Sequence, residues 1–368
     1  MIQEYEDSDA EEGSGETTRV TEVALSFRAP SADVRAVRLR TEAFKRERPP
    51  EFRRRGRTRT WGVRVQLPDG LVRLEYELEV ERADGSTETI IDPENPLRAS
   101  APFGECSVLE LDGYERPIWI DDDEAPAGTI EPVSFRSRLL RSEVGGFVWS
   151  ANGVEPEALL PLLVVHDGPE YAEHSSLLRM FDSAVAELEL RPFRAALLAP
   201  PGDRNETYSA STRYANALAS ELVPALGELA PTPDLPGARV GMGASLGALA
   251  AFHAHRVHRH LFGGLFLQSG SYFRRTTDPQ ESGFPRFERI SRFAGGVLRA
   301  VSAPAPIPIV MTCGRTEENV GNNRALRDAL VRQRYDVRLH EHPDLHNWVS
   351  WRDTFHPHLV ALLERLWG

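Results

Sequence analysis

From about residue 159 to the C-terminus, apolar runs alternate with amphipathic stretches, and this alternation restricts the possible folds more than any other feature of the chain. ALLPLLVVHDG, FRAALLAPPG, RVGMGAS, LFGGLFLQSGS and PIVMTCG are near-continuous apolar runs ending in turn residues, as expected of strands buried on both faces. Between them, SLLRMFDSAVAELE, TRYANALASELVPAL, the stretch from Leu246 and RALRDALVRQR read as helices. VRLHEHPD and a last helix near LVALLERLW complete the series. Strand and helix in regular alternation require crossover connections, hence a mostly parallel sheet and an α/β fold. Function in such sheets sits in loops beyond the carboxyl ends of the strands.

The first third has a different period. From about residue 18 to 125, VTEVALSF, AVRLRT, TWGVRVQL, LEYELEVE and ETIID place apolar residues at every second position, with turn signals such as PDG and ADGS between several of them. Five or so such strands predict an antiparallel β-sandwich of immunoglobulin-like size. DPENPLRA closes that module and DDDEAPAG reads as a linker. The expected organisation is an acidic disordered tail over 1–17, a β-sandwich over 18–125 and an α/β domain over 126–368.

Charge and cysteine content narrow the function classes. The net charge of −12 argues against nucleic acid as a general partner, and no apolar stretch approaches the roughly 18 to 20 residues of a membrane span. Residues 1–16 hold seven acids and no base. Residues 35–59 reverse the sign, with eleven Arg or Lys against three Glu, and RRRGRTR (Arg53 to Arg59) reads either as an anion patch or as a solvated hairpin loop. Two cysteines, Cys106 and Cys313, fall in different predicted domains and are expected to be reduced thiols. The N-terminus has neither the basic start nor the apolar middle of a secretory signal, so the expected location is the cytoplasm.

One motif carries the chemistry. Gly243, Ser245 and Gly247 form G-x-S-x-G directly after a predicted strand and before a predicted helix, the context of a nucleophile elbow rather than of a plain strand-to-helix turn. The two glycines let chain and helix pass at a sharp turn, and the helix N-terminus favours negative charge beside the serine. The Leu246 amide is the natural first oxyanion donor. A serine needs a base and an orienter, which in α/β-hydrolases follow in the order Ser, acid, His. Glu317 in CGRTEEN is the first choice for the acid, Glu318 the second, and Asp344 a weaker third because it lies so near His346 in sequence. His346 is the base, since it alone among the histidines has both the chain order and the loop position. His253, His255, His258 and His260 invite a metal reading, but no matched carboxylate accompanies them and a solvated helix end accounts for them. The second oxyanion donor belongs to HDGPEY, where Pro169 has no N–H, leaving the amide of Gly168 or Glu170.

Taken together, these segments resemble the enterochelin (ferric siderophore) esterase family of the esterase-D-like branch. HDGPEY resembles that family's L-L-D-G turn, and DRNETYSASTRYANALASELVPAL its R-x-x-E segment and following helix. GASLGALAA, LQSGSYF, CGRTEEN and HNWVSWR are similar to its nucleophile elbow, following strand and loop, acid loop and histidine loop. The N-terminal module is similar to the small β-sandwich that precedes the hydrolase in this family. The resemblance implies an α/β-hydrolase that cleaves esters through an acyl-enzyme: Ser245 attacks, His346 shuttles the proton and Glu317 orients His346. It implies a small-molecule ester substrate, in this family a ferric siderophore. The triad and oxyanion donors suffice for the chemistry, so no metal or organic cofactor is expected, and charge and hydropathy lead us to expect no nucleic-acid or membrane partner. It leaves the oligomeric state open.

Departures from the family pattern concern the substrate. DLH stands where the family has G-G-H, and HDGP replaces a turn whose next residue can donate. The segment Arg274 to Gly296 mixes arginines with Phe284, Phe287 and Phe293 where a lid or acyl pocket would sit. That mixture suits an anionic aromatic ester, and equally a helix laid over the sheet with its apolar stripe inward. Phe273, Arg274, Arg275 and Trp348 are the candidates for substrate contacts. Two other readings stand beside the siderophore esterase: a carbohydrate esterase releasing acetyl or feruloyl groups with a glycan-holding sandwich, and a non-catalytic binding protein on a hydrolase scaffold.

Overall fold

The computed structural model describes residues 21–45, 47–187, 189–303 and 305–368, so the acidic segment expected over 1–17 lies outside the described residues. The chain divides into two compact units. The first comprises the described residues up to Glu115 together with Arg315–Glu317 and Pro343–His346, and the second comprises the remainder.

The first unit holds strands β1 (Glu22–Arg28), β2 (Val34–Arg40), β3 (Arg53–Arg54), β4 (Thr60–Gln66), β5 (Arg73–Arg82), β6 (Thr87–Ile90), β7 (Arg98–Ala101) and β8 (Gly104–Glu110). They form two antiparallel sheets, ordered β1-β4-β3 and β2-β5-β8-β7, with β6 on β5. The alternation read in the sequence becomes burial: Val23, Leu25 and Phe27 of β1 and Leu74, Tyr76, Leu78 and Val80 of β5 point into one core with Val37, Leu39 and Trp61. Leu345 belongs to the same core. Arg53 to Arg59 lie in the β3–β4 hairpin, in which Arg54 donates to the Thr58 carbonyl at 2.7 Å, Arg59 donates to the Pro30 carbonyl at 2.8 Å, and all five arginines are exposed.

The second unit holds β9 (Thr129–Ser137), β10 (Ser142–Ser150), β11 (Leu162–His166), β12 (Arg194–Leu198), β13 (Arg239–Ala244), β14 (Gly264–Gln268), β15 (Pro308–Gly314) and β16 (Asp336–His342) in one sheet ordered β16-β15-β14-β13-β11-β12-β10-β9. β11 to β16 are parallel, and β10 and β9 extend the sheet antiparallel. The β9–β10 hairpin falls where the sequence reading placed no strand. Its alternation is interrupted by Pro132 and by the pair Gly145–Gly146, and Gly146 has a φ of 151° with the Leu197 carbonyl where a side chain would stand.

Ten α-helices lie among the described residues: α1 (Gly168–His174), α2 (Leu177–Ala186), α3 (Arg204–Tyr208), α4 (Thr212–Ala217), α5 (Val223–Leu229), α6 (Leu246–Val257), α7 (Phe287–Arg299), α8 (Val320–Arg332), α9 (Trp348–Arg352) and α10 (Val360–Trp367). Two apolar clusters result, one centred on α4, α6 and α7 and the other on α2 and α10. Trp119 and Ile120, at the edge of the expected linker, are buried in the second cluster, with Trp119 stacked on Phe355.

Candidate active site

Ser245 sits between β13 and α6 with φ 54° and ψ −118°, a backbone region that costs a non-glycine residue about 1–3 kcal/mol and persists only where its surroundings hold it. Here they do. Its amide donates to the Gln268 carbonyl at 2.9 Å, and its carbonyl accepts from the amides of Leu249 and Ser271 at 3.2 and 3.1 Å. Both motif glycines are sterically required. A Cβ on Gly243 would lie 2.5 Å from the carbonyl carbon of Gly247, and one on Gly247 would lie 2.9 Å from Asp167 Oδ2. The Ser245 hydroxyl is half-buried, 3.1 Å from the Ser271 hydroxyl, and Leu246 opens α6 so that its amide has no intrahelical acceptor.

The loop after β11 is held by charge. Asp167 is buried in a left-handed conformation (φ 56°, ψ 38°) and receives the Arg204 guanidinium as a fork, Nε and Nη2 each at 2.7 Å. Gly168 begins α1 where any Cβ would run into the Leu197 backbone. Pro169 follows, so Gly168 and Glu170 carry the available first-turn amides. Burial raises the Glu170 carboxyl above its ordinary value, and its own amide partly offsets this. His166 is fully buried, its Nδ1–H donating to the Met242 carbonyl at 3.0 Å, and burial lowers its pKa to about 4. It is therefore a neutral ring packed edge-on against Tyr208 and Tyr214.

Gln268, at the end of β14, links several of these pieces. It accepts from the Tyr171 hydroxyl at 2.6 Å and donates to the Trp351 carbonyl and the Thr354 hydroxyl, each at 2.8 Å. Tyr171 meets Trp348 edge-on with centroids 5.1 Å apart, so Trp348 sits beside α1.

Within the first unit, the loops that follow β15 and β16 in sequence bring Glu317 and His346 together. Nδ1–H of His346 donates to Glu317 Oε2 at 2.8 Å, the Glu317 side chain being 1% exposed and that of His346 32%. The neighbouring Glu318 accepts instead from Gln280 at 2.8 Å, and Asp344 faces Arg73 at 3.3 Å.

The remaining candidates are placed as follows. Phe273 packs against Phe284 and Phe287, Arg274 donates through Nε to Asn322 at 2.8 Å, and Arg275 pairs with Glu288 at the surface. Arg286 and Arg289 both engage Glu206 of α3, and α7 turns Phe287, Ile290, Ala294 and Val297 inward. The apolar stripe of α7 thus faces inward, as the helix alternative expects, while Phe273, Arg274 and Arg275 precede that helix. His253 packs on Phe293, His255 bonds Tyr335 at 3.0 Å and His258 bonds Asn216 at 2.8 Å, which gives three of the four clustered histidines separate structural partners. The sequence reading passed over Ser271, Gln268 and the Asp167–Arg204 fork. All three lie in segments it quoted, but only the folded chain brings together residues 26, 97 and 37 positions apart.

The strand order, the strained elbow and the helices on the sheet define an α/β-hydrolase with an added N-terminal β module. An esterase family model matches residues 148–362, more than half of the chain, and the chain belongs to this Esterase family. Among curated proteins the chain is 25% identical over 234 residues to an iron(III) enterobactin esterase of Dickeya dadantii (strain 3937), covering 61% of this chain and 53% of that protein. The chain thus spans about half the length of that relative. It is 23% identical over 258 residues to the uncharacterized protein YjcH of Bacillus subtilis (strain 168), covering 64% of this chain and 98% of that one. Among solved structures it is similar to the enterobactin esterase of Shigella flexneri in the presence of enterobactin, with a TM-score of 0.75 and 21% identity over 95% of this chain and 93% of that one. The ferric enterobactin esterase of Salmonella typhimurium gives a TM-score of 0.75 and 20% identity over 96% and 95%. At these identities the structural likeness establishes the fold, the N-terminal β module included.

Proposed function

We propose that this chain hydrolyses a siderophore-like ester through an acyl-enzyme, with Ser245 as nucleophile, His346 as base and Glu317 as orienter. The observation that carries the reading is the 2.8 Å Glu317–His346 hydrogen bond between residues that follow Ser245 in the order this chemistry uses. Nδ1–H bonded to a buried carboxylate fixes the tautomer in which Nε2 carries the lone pair that takes the serine proton, and the carboxylate stabilises the imidazolium that forms. Ser245 Oγ then attacks the ester carbonyl, and the charge that develops on the carbonyl oxygen meets the amide of Leu246 and an amide of the 168–170 turn. The alcohol leaves with the proton from His346, and water repeats the sequence to release the acid. Strain at Ser245 supports the reading, because a serine serving only as a turn residue gains nothing from a conformation any glycine would adopt without cost.

The likeness to enterobactin esterases supports the substrate class, a cyclic or linear ester of a catecholate siderophore. Iron would arrive with that substrate. The test is hydrolysis of p-nitrophenyl butyrate and of a ferric catecholate trilactone by wild type and Ser245→Ala. Loss of about 10³-fold or more in kcat with both substrates is expected. Equal rates in wild type and variant would remove Ser245 from the mechanism, and turnover of the simple ester without the trilactone would remove the siderophore.

A further inference from the structure

Arg73 opens β5 and is 2% exposed, far more deeply buried than an arginine normally is. Its guanidinium lies between two carboxylates. One belongs to Glu75, two residues on along the same face of the strand, and the other to Asp344, 271 positions away in sequence and 3.3 Å away in space. Burial favours the neutral form of the guanidinium, but the two carboxylates outweigh it and hold the group charged.

Asp344 precedes His346 by two residues, and the intervening chain is held to the same segment of the β module. The Pro343 carbonyl accepts from the Val72 amide at 3.0 Å, while the Val72 carbonyl accepts from Leu111 at 2.9 Å. The second Asp344 oxygen takes the Leu345 amide at 2.6 Å, and the Leu345 side chain, 4% exposed, enters the core that contains Leu71, Leu74 and Leu111. Three consecutive residues, 343 to 345, are therefore fastened to residues 71 to 74 by a backbone bond, an ion pair and apolar packing. His346 is the next residue. On the acid side, Gly70 lies so close to Arg315 that a Cβ there would stand 3.2 Å from its guanidinium.

We propose that Arg73, in the N-terminal β module, is a positioning residue for His346: by clamping Asp344 it sets where the imidazole stands and which way Nδ1 points toward Glu317. This rests on the Ser245–His346–Glu317 reading, and it gives the β module a share in assembling the catalytic base. Arginine suits the task because its rigid fork reaches two carboxylates at once and stays charged when buried, whereas a lysine ammonium does neither as well.

The test uses the full chain. In Arg73→Met, kcat for p-nitrophenyl butyrate should fall about 10²-fold, the cost of a displacement of about 1 Å in a catalytic group, with KM changed less than about threefold. The downfield His346 Nδ1 proton resonance, recorded well below the unfolding midpoint, should broaden or disappear. Arg73→Lys should recover part of both signals. If Arg73→Met does not fold, Arg73→Met/Asp344→Asn removes the more deeply buried ion pair, leaves only the partly exposed Glu75 carboxylate, and is read in the same way, since removing a buried pair is tolerated far better than orphaning one member. A folded variant that keeps kcat within about threefold and keeps the Nδ1 resonance would overturn the proposal, whatever its Tm. Failure of the esterase reading looks different: wild type would be inert on every ester, and the resonance would still report whether Arg73 orders His346.

Discussion

Gly243→Ala asks whether the elbow is as tight as its geometry implies. The added Cβ would stand 2.5 Å from the Gly247 carbonyl carbon, 2.7 Å from its oxygen and 2.9 Å from the Ala248 nitrogen. All three atoms are backbone, so no rotamer change relieves the overlap, and the start of α6 must retreat from β13 by about 1 Å to restore ordinary contact. Overpacking of this kind costs about 1–3 kcal/mol. In a unit of this size each kcal/mol lowers Tm by about 2–4 °C, so a fall of about 2–12 °C is expected. The same shift carries Ser245 Oγ with it, and kcat/KM on p-nitrophenyl butyrate should drop about 10²-fold. The assay pairs differential scanning fluorimetry with initial rates and with the rate of labelling by a fluorophosphonate. Gly296→Ala is the control: nothing lies within 4 Å of its added Cβ on α7, so it should leave the rate alone and raise stability by about 0.5–1 kcal/mol. A Gly243→Ala protein with wild-type rate and Tm would refute the steric account of the elbow.

Three further outcomes are expected. Glu317→Gln keeps the shape of the acid but loses its charge and permits the wrong His346 tautomer, so kcat should fall about 10²–10⁴-fold with KM nearly unchanged; an unaltered kcat on simple esters would exclude Glu317 as orienter. Arg204→Met leaves the Asp167 carboxylate buried without its fork, and unfolding in urea should show a loss of about 3–5 kcal/mol, a value the matched Arg204→Met/Asp167→Asn pair should partly restore. Burial lowers His166, His253 and His255 from 6.5 to about 4, so the folded state resists protons that the unfolded chain accepts. Their contribution is complete above about pH 6.5 and is lost as pH falls toward 4, so Tm should decline across that window; a Tm flat from pH 7 to 4.5 would mean these rings titrate normally.

Much of this protein follows from pattern alone, because the patterns are one-dimensional records of burial. A strand buried on both faces is a near-continuous apolar run, as LLVVH and GLFLQ are up to their last residue, and a half-buried strand alternates, as EVALSFR does; each declares its layer before any contact is known. The elbow is only partly local: Gly243 is required by backbone atoms four and five residues on, whereas Gly247 faces Asp167, 80 positions away in sequence. Chain order pointed to the loop that holds both Glu317 and Glu318, and the resemblance of CGRTEEN to an acid loop favoured Glu317, but neither could show that one carboxylate bonds His346 and the other Gln280. The β9–β10 hairpin carried no clean period, because Gly146 answers to the Leu197 carbonyl of the neighbouring strand rather than to solvent. What only the tertiary structure decided are the long-range polar partners: Ser271 at the Ser245 hydroxyl, Arg204 on Asp167, Glu206 drawing in the arginines of α7, and Arg73 on Asp344. A buried charge must find an opposite charge, but any of 55 acids and 43 bases would satisfy that rule in sequence. The choice among them is made by which loops the sheets bring within hydrogen-bonding distance, a property of three dimensions that composition and spacing do not contain.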